Sequence, residues 1–242
     1  MKRFLICIVL ASAMFSITAM AQSAKFAATY NDSRFSVVSI IDSASQPNDC
    51  NLNDGYTYAT IKVPQDKELL VGVSSEVLLI TNTSIKGKAG GQARALAYAG
   101  ADVTVGACPV EGGDCKVAAP GSVILADRFQ ILEGTLGGVL TNCTDSNGDG
   151  DIDLNDCVLE DEEISLIIDS LTSHHFNFVL PNMDQGDYDI KAFFGTEACN
   201  QISSDGDAEA FAFAVAAIGK SMVTVQQVRA TKNGIIDANI IE

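Results

Sequence analysis

Apolar and polar residues alternate along most of this chain. That period of two puts one row of side chains on each face of an extended strand. Phe35–Ile41 shows it and ends at a Ser-Gln-Pro-Asn turn. Tyr56–Val63 alternates and stops at Pro64. Glu68–Thr81 is rich in Leu, Val and Ile, and Ala95–Val105 alternates small residues with Leu, Tyr and Val. Val123–Leu132 and Phe176–Leu180 follow, the latter halted by Pro181. Tyr188–Phe194 comes after the turn Asp184-Gln185-Gly186-Asp187, and Ala210–Ala217 and Met222–Val228 close the set. Strands of this kind, punctuated by Gly, Asn, Asp and Pro, predict an all-β antiparallel sandwich. The many Ala and Gly residues within them predict closely packed sheets or subunits.

Leu159–Leu171 is ambiguous. Ile164, Ile167, Ile168 and Leu171 fit a helical face, whereas Ile164, Leu166 and Ile168 fit a strand. The neighbouring segments favour a strand, with a short helical turn near Asp161 as the alternative. Internal repeats and low-complexity linkers are lacking, so residues 22–242 are expected to form one domain.

The first residues carry an address. Lys2 and Arg3 precede an uncharged apolar run, Phe4–Ala19, and Ala19-Met20-Ala21 fits a cleavage site before Gln22. This is the pattern of a secretory signal peptide over residues 1–21, and it predicts a secreted protein, extracellular or periplasmic. Export also gives the cysteines a reading. With Cys7 removed, six remain: Cys50, Cys108, Cys115, Cys143, Cys157 and Cys199. Proximity pairs Cys108 with Cys115 and Cys143 with Cys157. Cys50–Cys199 follows only by elimination. Zinc is disfavoured, because no Cys-x-x-Cys pair is present and His174 and His175 are the only histidines.

Charge narrows the partners. The formal net charge of −16 argues against nucleic acid and against anionic membranes. The absence of Trp and the few aromatic residues weaken the case for a sugar-stacking groove. His174 and His175 would face opposite sides of a strand, which suits a strand edge or subunit contact better than a catalytic triad. No G-x-S-x-G elbow occurs. The Lys86–Gly91 stretch is Gly-rich but lacks phosphate-loop spacing, and reads as a turn.

One stretch carries definite chemistry. Asp145-Ser-Asn147-Gly-Asp149-Gly150-Asp151-Ile152-Asp153-Leu-Asn-Asp156 matches the D-x-[DN]-x-[DN]-G calcium pattern. Ca2+ is a hard ion needing six to eight oxygens. Asp145, Asn147 and Asp149 would offer side-chain oxygens, and Gly150 permits the sharp turn. Asp151 would offer its backbone carbonyl, Asp153 would bind directly or through water, and Asp156 would close the set. Ile152 is expected to point into the apolar base of the loop. Five carboxylates within this short segment repel one another unless a cation is present. Glu160–Glu163 could supply a second weak cation site, although such runs are more often solvated edges.

The segment resembles the calcium loop of dockerins, and its flanking Cys143 and Cys157 are similar to those of thrombospondin type 3 repeats. It departs from the EF-hand in having Asp156 where a bidentate Glu stands. A single copy is present, so neither family's function carries over. A softer resemblance lies in Phe176–Leu180, in Gly186-Asp-Tyr-Asp-Ile-Lys-Ala192, and in Ala210–Ala217 running into Ser221–Val228. These look like the closing strands of tumour-necrosis-factor-like jelly rolls of exported bacterial proteins. That resemblance implies a jelly roll and a homo-oligomer, specifically a trimer. The expected function is a calcium-stabilised structural or binding module with a glycan or surface protein as partner. A calcium-dependent carbohydrate-binding module and an extracellular hydrolase are the alternatives.

Overall fold

The computed structural model describes residues 26–31, 36–41, 55–63 and 67–228. The signal-peptide segment and Cys50 lie outside them. The described strands are β1 (Phe26–Asn31), β2 (Ser36–Ile41), β3 (Gly55–Val63), β4 (Lys67–Gly87), β5 (Gly91–Pro109), β6 (Lys116–Val117), β7 (Val123–Leu136), β8 (Val139–Thr141), β9 (Val158–Glu160), β10 (Glu162–Met183), β11 (Gly186–Ser204) and β12 (Ala208–Val228). Among the described residues the only helix is a single 3-10 turn, Leu154–Asp156.

The strands form two antiparallel sheets and a small ribbon. Sheet A runs β1-β12-β4-β10, with β2 also on β12. Sheet B runs β3-β11-β5, with β6 and β7 both on the far side of β5. Nested pairing explains this order. β1 pairs with β12, β3 with β11, β4 with β10, and β5 with β7. The chain therefore runs out and back as one long hairpin. The β4–β12 and β5–β11 pairings roll that hairpin into two facing sheets. This is the jelly-roll arrangement, and it bears out the all-β antiparallel sandwich read from the alternation.

Alternation decides which face is buried. On β4, Leu69, Val71, Val73, Val77 and Leu79 point inward and are buried. On β5 the inward row is mostly alanine, from Ala93 to Ala101, followed by Val103, Val105 and Ala107. Ala212, Ala214 and Ala216 repeat this on β12. Small side chains on these inner rows leave room for bulk elsewhere, and Phe178, Ile190, Ile61 and Met183 supply it. Truncating Phe178 to Ala removes a fully buried ring and costs about 3–5 kcal/mol.

Three sequence boundaries move, each for a physical reason. Pro181 does not end its strand, because β10 is an edge strand with a register shift between Leu180 and Met183, where a missing N–H is tolerated. The ambiguous Leu159–Leu171 segment is strand, as β9 to Glu160 and as β10 from Glu162, the latter continuous with Phe176–Leu180. Ala210–Ala217 and Met222–Val228 are one strand, β12, interrupted by a bulge at Gly219-Lys220.

A second, smaller core cluster lies at one end of the sandwich. It contains Ile85, Ala93, Ala95, Leu136, Ala208 and Ala212. The β4–β5 turn lies beside it, with Ala89 at φ 54° and Gly90 at φ 84°, the backbone of a tight hairpin turn. The insertion that holds the acidic loop leaves the sandwich here, directly after Leu136.

Candidate metal centre

The insertion is a stalk carrying a loop. β8 and β9 pair as a two-stranded ribbon, Val139 to Glu160 through Thr141 to Val158. The stalk is tied to the β4–β5 turn by main-chain bonds, with Ala89 N–H donating to Gly137 O at 3.2 Å and Gly90 N–H to Leu136 O at 2.9 Å. Gly138, at φ +86°, is required: a Cβ there would sit 2.8 Å from both Glu160 O and Lys88 Cβ. Asp161 pairs with Lys86 at 3.4 Å and Lys88 at 3.6 Å. These partly exposed pairs orient the stalk more than they stabilise it. Asp161 thus sits at the foot of the stalk, and β10 begins one residue later, without the helical turn considered from the sequence.

The Cys143–Cys157 disulfide closes the loop above the stalk, as its spacing suggests. In the chain-entropy view, closing a loop of this length is worth about 3 kcal/mol. The second disulfide, Cys108–Cys115, pinches the exposed turn after β5. Cys199 Sγ lies 3.5 Å from Glu197 Oε1, and its expected partner, Cys50, is outside the described residues.

Within the loop, Asp145 organises the first half. Its Oδ1 accepts the N–H of Gly148 at 2.6 Å and of Asp149 at 3.2 Å, and its Oδ2 accepts that of Gly150 at 2.9 Å. Gly148 at φ 76° and Gly150 at φ 92° allow the chain to curl around this carboxylate. The N–H donors, that of Gly150 foremost, hold the Asp145 carboxyl below the usual carboxylate range. Asn147 and Asp149 join the same network: Asn147 Oδ1 accepts Asp149 N–H, and its amide donates to Asp149 Oδ2, both at 2.9 Å.

Asp156 organises the second half. It is buried, and it accepts Ser146 Oγ–H at 2.6 Å, Ser146 N–H at 3.0 Å and Asp153 N–H at 3.1 Å. The Ser146 hydroxyl is the main cause that lowers its carboxyl, followed by the two N–H groups. Asp153 caps the 3-10 turn by accepting Asn155 N–H at 2.7 Å. Ser146 was not singled out from the sequence. Its signal is a hydroxyl at the second position of the loop, one residue after the first acid.

The structure therefore brings the candidate residues into two sets, Asp145 with Asn147 and Asp149, and Asp153 with Asp156. Asp151 donates its N–H to Asp149 Oδ1 at 2.9 Å. Among the described residues no three His, Cys, Asp or Glu side chains converge as a metal centre. The donor set nonetheless keeps acceptor capacity. A carboxylate has about four lone-pair sites; Asp145 and Asp156 each use three on protein donors, and Asp149 uses two. Ile152 does not point into an apolar base. It is 62% exposed, and Leu154 nearby is 73% exposed, because the loop stands clear of the sandwich core.

The histidines lie on β10, on opposite faces. His175 Nδ1 is 2.8 Å from Ser74 Oγ, and its Nε2 is 3.2 Å from Asn177 Oδ1. Gly72 makes space for this chain; a Cβ there would meet His175 Cε1 at 3.1 Å and Asn177 Oδ1 at 3.2 Å. His174 Nε2 lies 2.7 Å from Thr172 Oγ1.

No protein-family model matches the chain, and no curated protein matches it. Among solved structures there is a faint likeness to a chain from the infectious bursal disease virus Gx strain. It has 9% identity and a TM-score of 0.12, and covers 82% of this chain and 42% of that one. At that score it bears on neither fold nor function.

Proposed function

We propose that the chain is an exported, disulfide-stapled jelly roll whose Cys143–Cys157 insertion binds Ca2+, and that it acts as a non-catalytic structural or binding module at the cell surface or outside the cell. The observation that carries this reading is the curl of the loop around Asp145, with Gly150 at positive φ where the pattern requires a glycine. The two disulfides suit an oxidising compartment. Asp145, Asn147, Asp149, Asp153 and Asp156 would hold the ion through side-chain oxygens, and Asp151 through its carbonyl. Calcium supplies the positive charge that lets these carboxylates share one loop. The chain's own residues do the rest: the disulfide limits the loop's span, and Asp156 fixes its closure through Ser146.

Isothermal titration with CaCl2 tests the reading. One site is expected, with a dissociation constant in the ~0.1–1 mM range of extracellular modules, and Asp145→Ala abolishes the heat. Equal heats from wild type and Asp145→Ala would overturn it.

A further inference from the structure

The geometry points to the free edge of β10, over Glu162–Ser173, as a surface that pairs antiparallel with the same strand of a second copy of this chain. This rests on different residues from the calcium reading and stands apart from it.

β10 is the terminal strand of sheet A, and among the described residues its outer edge meets no other strand of that sheet. Its C-terminal half is covered. Ala119 and Val179 exchange both main-chain bonds, at 2.8 and 3.0 Å, and Lys116 Nζ donates to Pro181 O and Asn182 O. Among the described residues its N-terminal half has no such cover. The β10–β4 register is unbroken from Glu162 to Leu180, so residues of Val179's parity direct N–H and C=O to the outer edge. These are Glu163, Ser165, Ile167, Asp169, Leu171 and Ser173. They form a continuous row of main-chain donors and acceptors.

Both faces of this half-strand expose apolar side chains among polar ones. Ile167 and Leu171, on the outer face, are 64% and 65% exposed. Ile164, Leu166 and Ile168 belong to the inward row, yet stay 38–44% exposed at the open rim between the sheets. Natural edge strands are usually blunted by Lys, Pro or a bulge. Glu162–Leu180 contains no Lys, Arg or Pro and no register shift. The edge is also held rigid. From inside the sandwich, Gln130 Nε2 donates to Leu166 O at 2.8 Å, and Arg128 Nη1 donates to Ile168 O at 3.0 Å. A strand fixed in advance loses little conformational freedom on pairing.

Side-chain complementarity, a carboxylate facing an imidazole at each end, favours the strand itself as partner. Its acids stand at one end, Glu162 and Glu163, and its histidines at the other, His174 and His175. Antiparallel pairing about Ile168 places Glu162 of one copy opposite His174 of the other, on the same face. It also places Ser165 opposite Leu171 and Ile167 opposite Asp169. The two Asp169 carboxylates then lie diagonally near the axis, so salt strengthens the association. The result is a two-fold pair with one continuous sheet, instead of the trimer implied by the tumour-necrosis-factor-like resemblance.

Sedimentation of the folded, disulfide-intact chain tests this. The wild type is expected to be a concentration-dependent dimer, populated by about 100 µM and increasingly so with added salt. Ser165→Pro removes only an outward N–H, and Ile167→Lys adds a charge at the edge. Each is expected to weaken dimerisation by about two orders of magnitude while leaving the calcium titration, and the melting temperature at a dilution where the wild type is monomeric, unchanged. Ile168→Cys, on the axis, is expected to give, with oxidised glutathione as the oxidant, a disulfide joining the 168 peptides of two copies. A monomeric or trimeric wild type, dimers that survive both edge variants, or a dimer that does not cross-link through position 168 would each overturn the proposal.

Discussion

Asp156 reaches back across ten residues to hold both the hydroxyl and the N–H of Ser146, at 2.6 and 3.0 Å. One carboxylate thereby locks the end of the acidic loop to its beginning. Asp156 is the residue at which the loop departs from the EF-hand pattern. The shorter side chain serves closure of the loop, and only its remaining lone pair is open to an ion. Ser146→Ala is therefore expected to weaken Ca2+ binding by about 10-fold, the scale of an orienting partner, and to lower the melting temperature in calcium-free buffer slightly, by the loss of one hydrogen bond to Asp156. Titration calorimetry beside a melt checks both halves of this.

The disulfide above the stalk has a separable effect. Replacing both Cys143 and Cys157 by Ser frees the loop's ends. It is expected to lower the unfolding free energy by about 2–3 kcal/mol if the loop unfolds with the sandwich. It also weakens calcium binding, because the oxygens are no longer preorganised. Urea unfolding and a calcium titration of the double variant measure the two effects.

Acid should act on the loop first. Asp145 and Asp156 both have carboxyls depressed in the folded state by hydrogen-bond donors. A depressed folded value means that the unfolded chain takes up protons first. The stabilisation is thus fully present above the ordinary carboxylate range and lost as pH falls through the depressed folded values, below about pH 4. Melting temperature followed from pH 6 to pH 3 without calcium is expected to fall across that window, and less steeply in Asp145→Asn.

Inside the sandwich, Gln130 bridges the sheets. Its Oε1 accepts Thr81 Oγ1–H and its Nε2 donates to Thr83 Oγ1, each at 2.7 Å, and to Leu166 O. All three side chains are buried. Gln130→Ala leaves two threonine hydroxyls without that partner and is expected to cost about 1–3 kcal/mol by urea unfolding. Gly138→Ala tests the stalk. Its Cβ would strike Glu160 O, and a cost of about 1–3 kcal/mol is expected, read as faster hydrogen exchange in β8 and β9.

Period-two alternation made the strands legible, because each strand buries one row. It could not say which strands pair. β1 and β12 lie at opposite ends of the described chain, and their partnership is set by the rolling of the whole hairpin. Pro181 read as a stop because a proline costs a ladder bond in a central strand, and it costs none on the edge strand β10. Ile164, Ile167, Ile168 and Leu171 mimicked a helical face because β10 is exposed on both sides at the open rim. The loop's spacing was legible through Asp145 and its glycines. Ile152 was misplaced because the stalk carries the loop away from any apolar surface that could receive it.

The most direct measurement is differential scanning calorimetry of the folded chain in excess EDTA and at rising CaCl2. A calcium-binding loop predicts a melting temperature that climbs with calcium once the ion exceeds its dissociation constant, by an amount equivalent to about 2.7 kcal/mol at 100 times that constant. It also predicts no climb in Asp145→Ala. Superimposable melts of the wild type in EDTA and in millimolar calcium would contradict it.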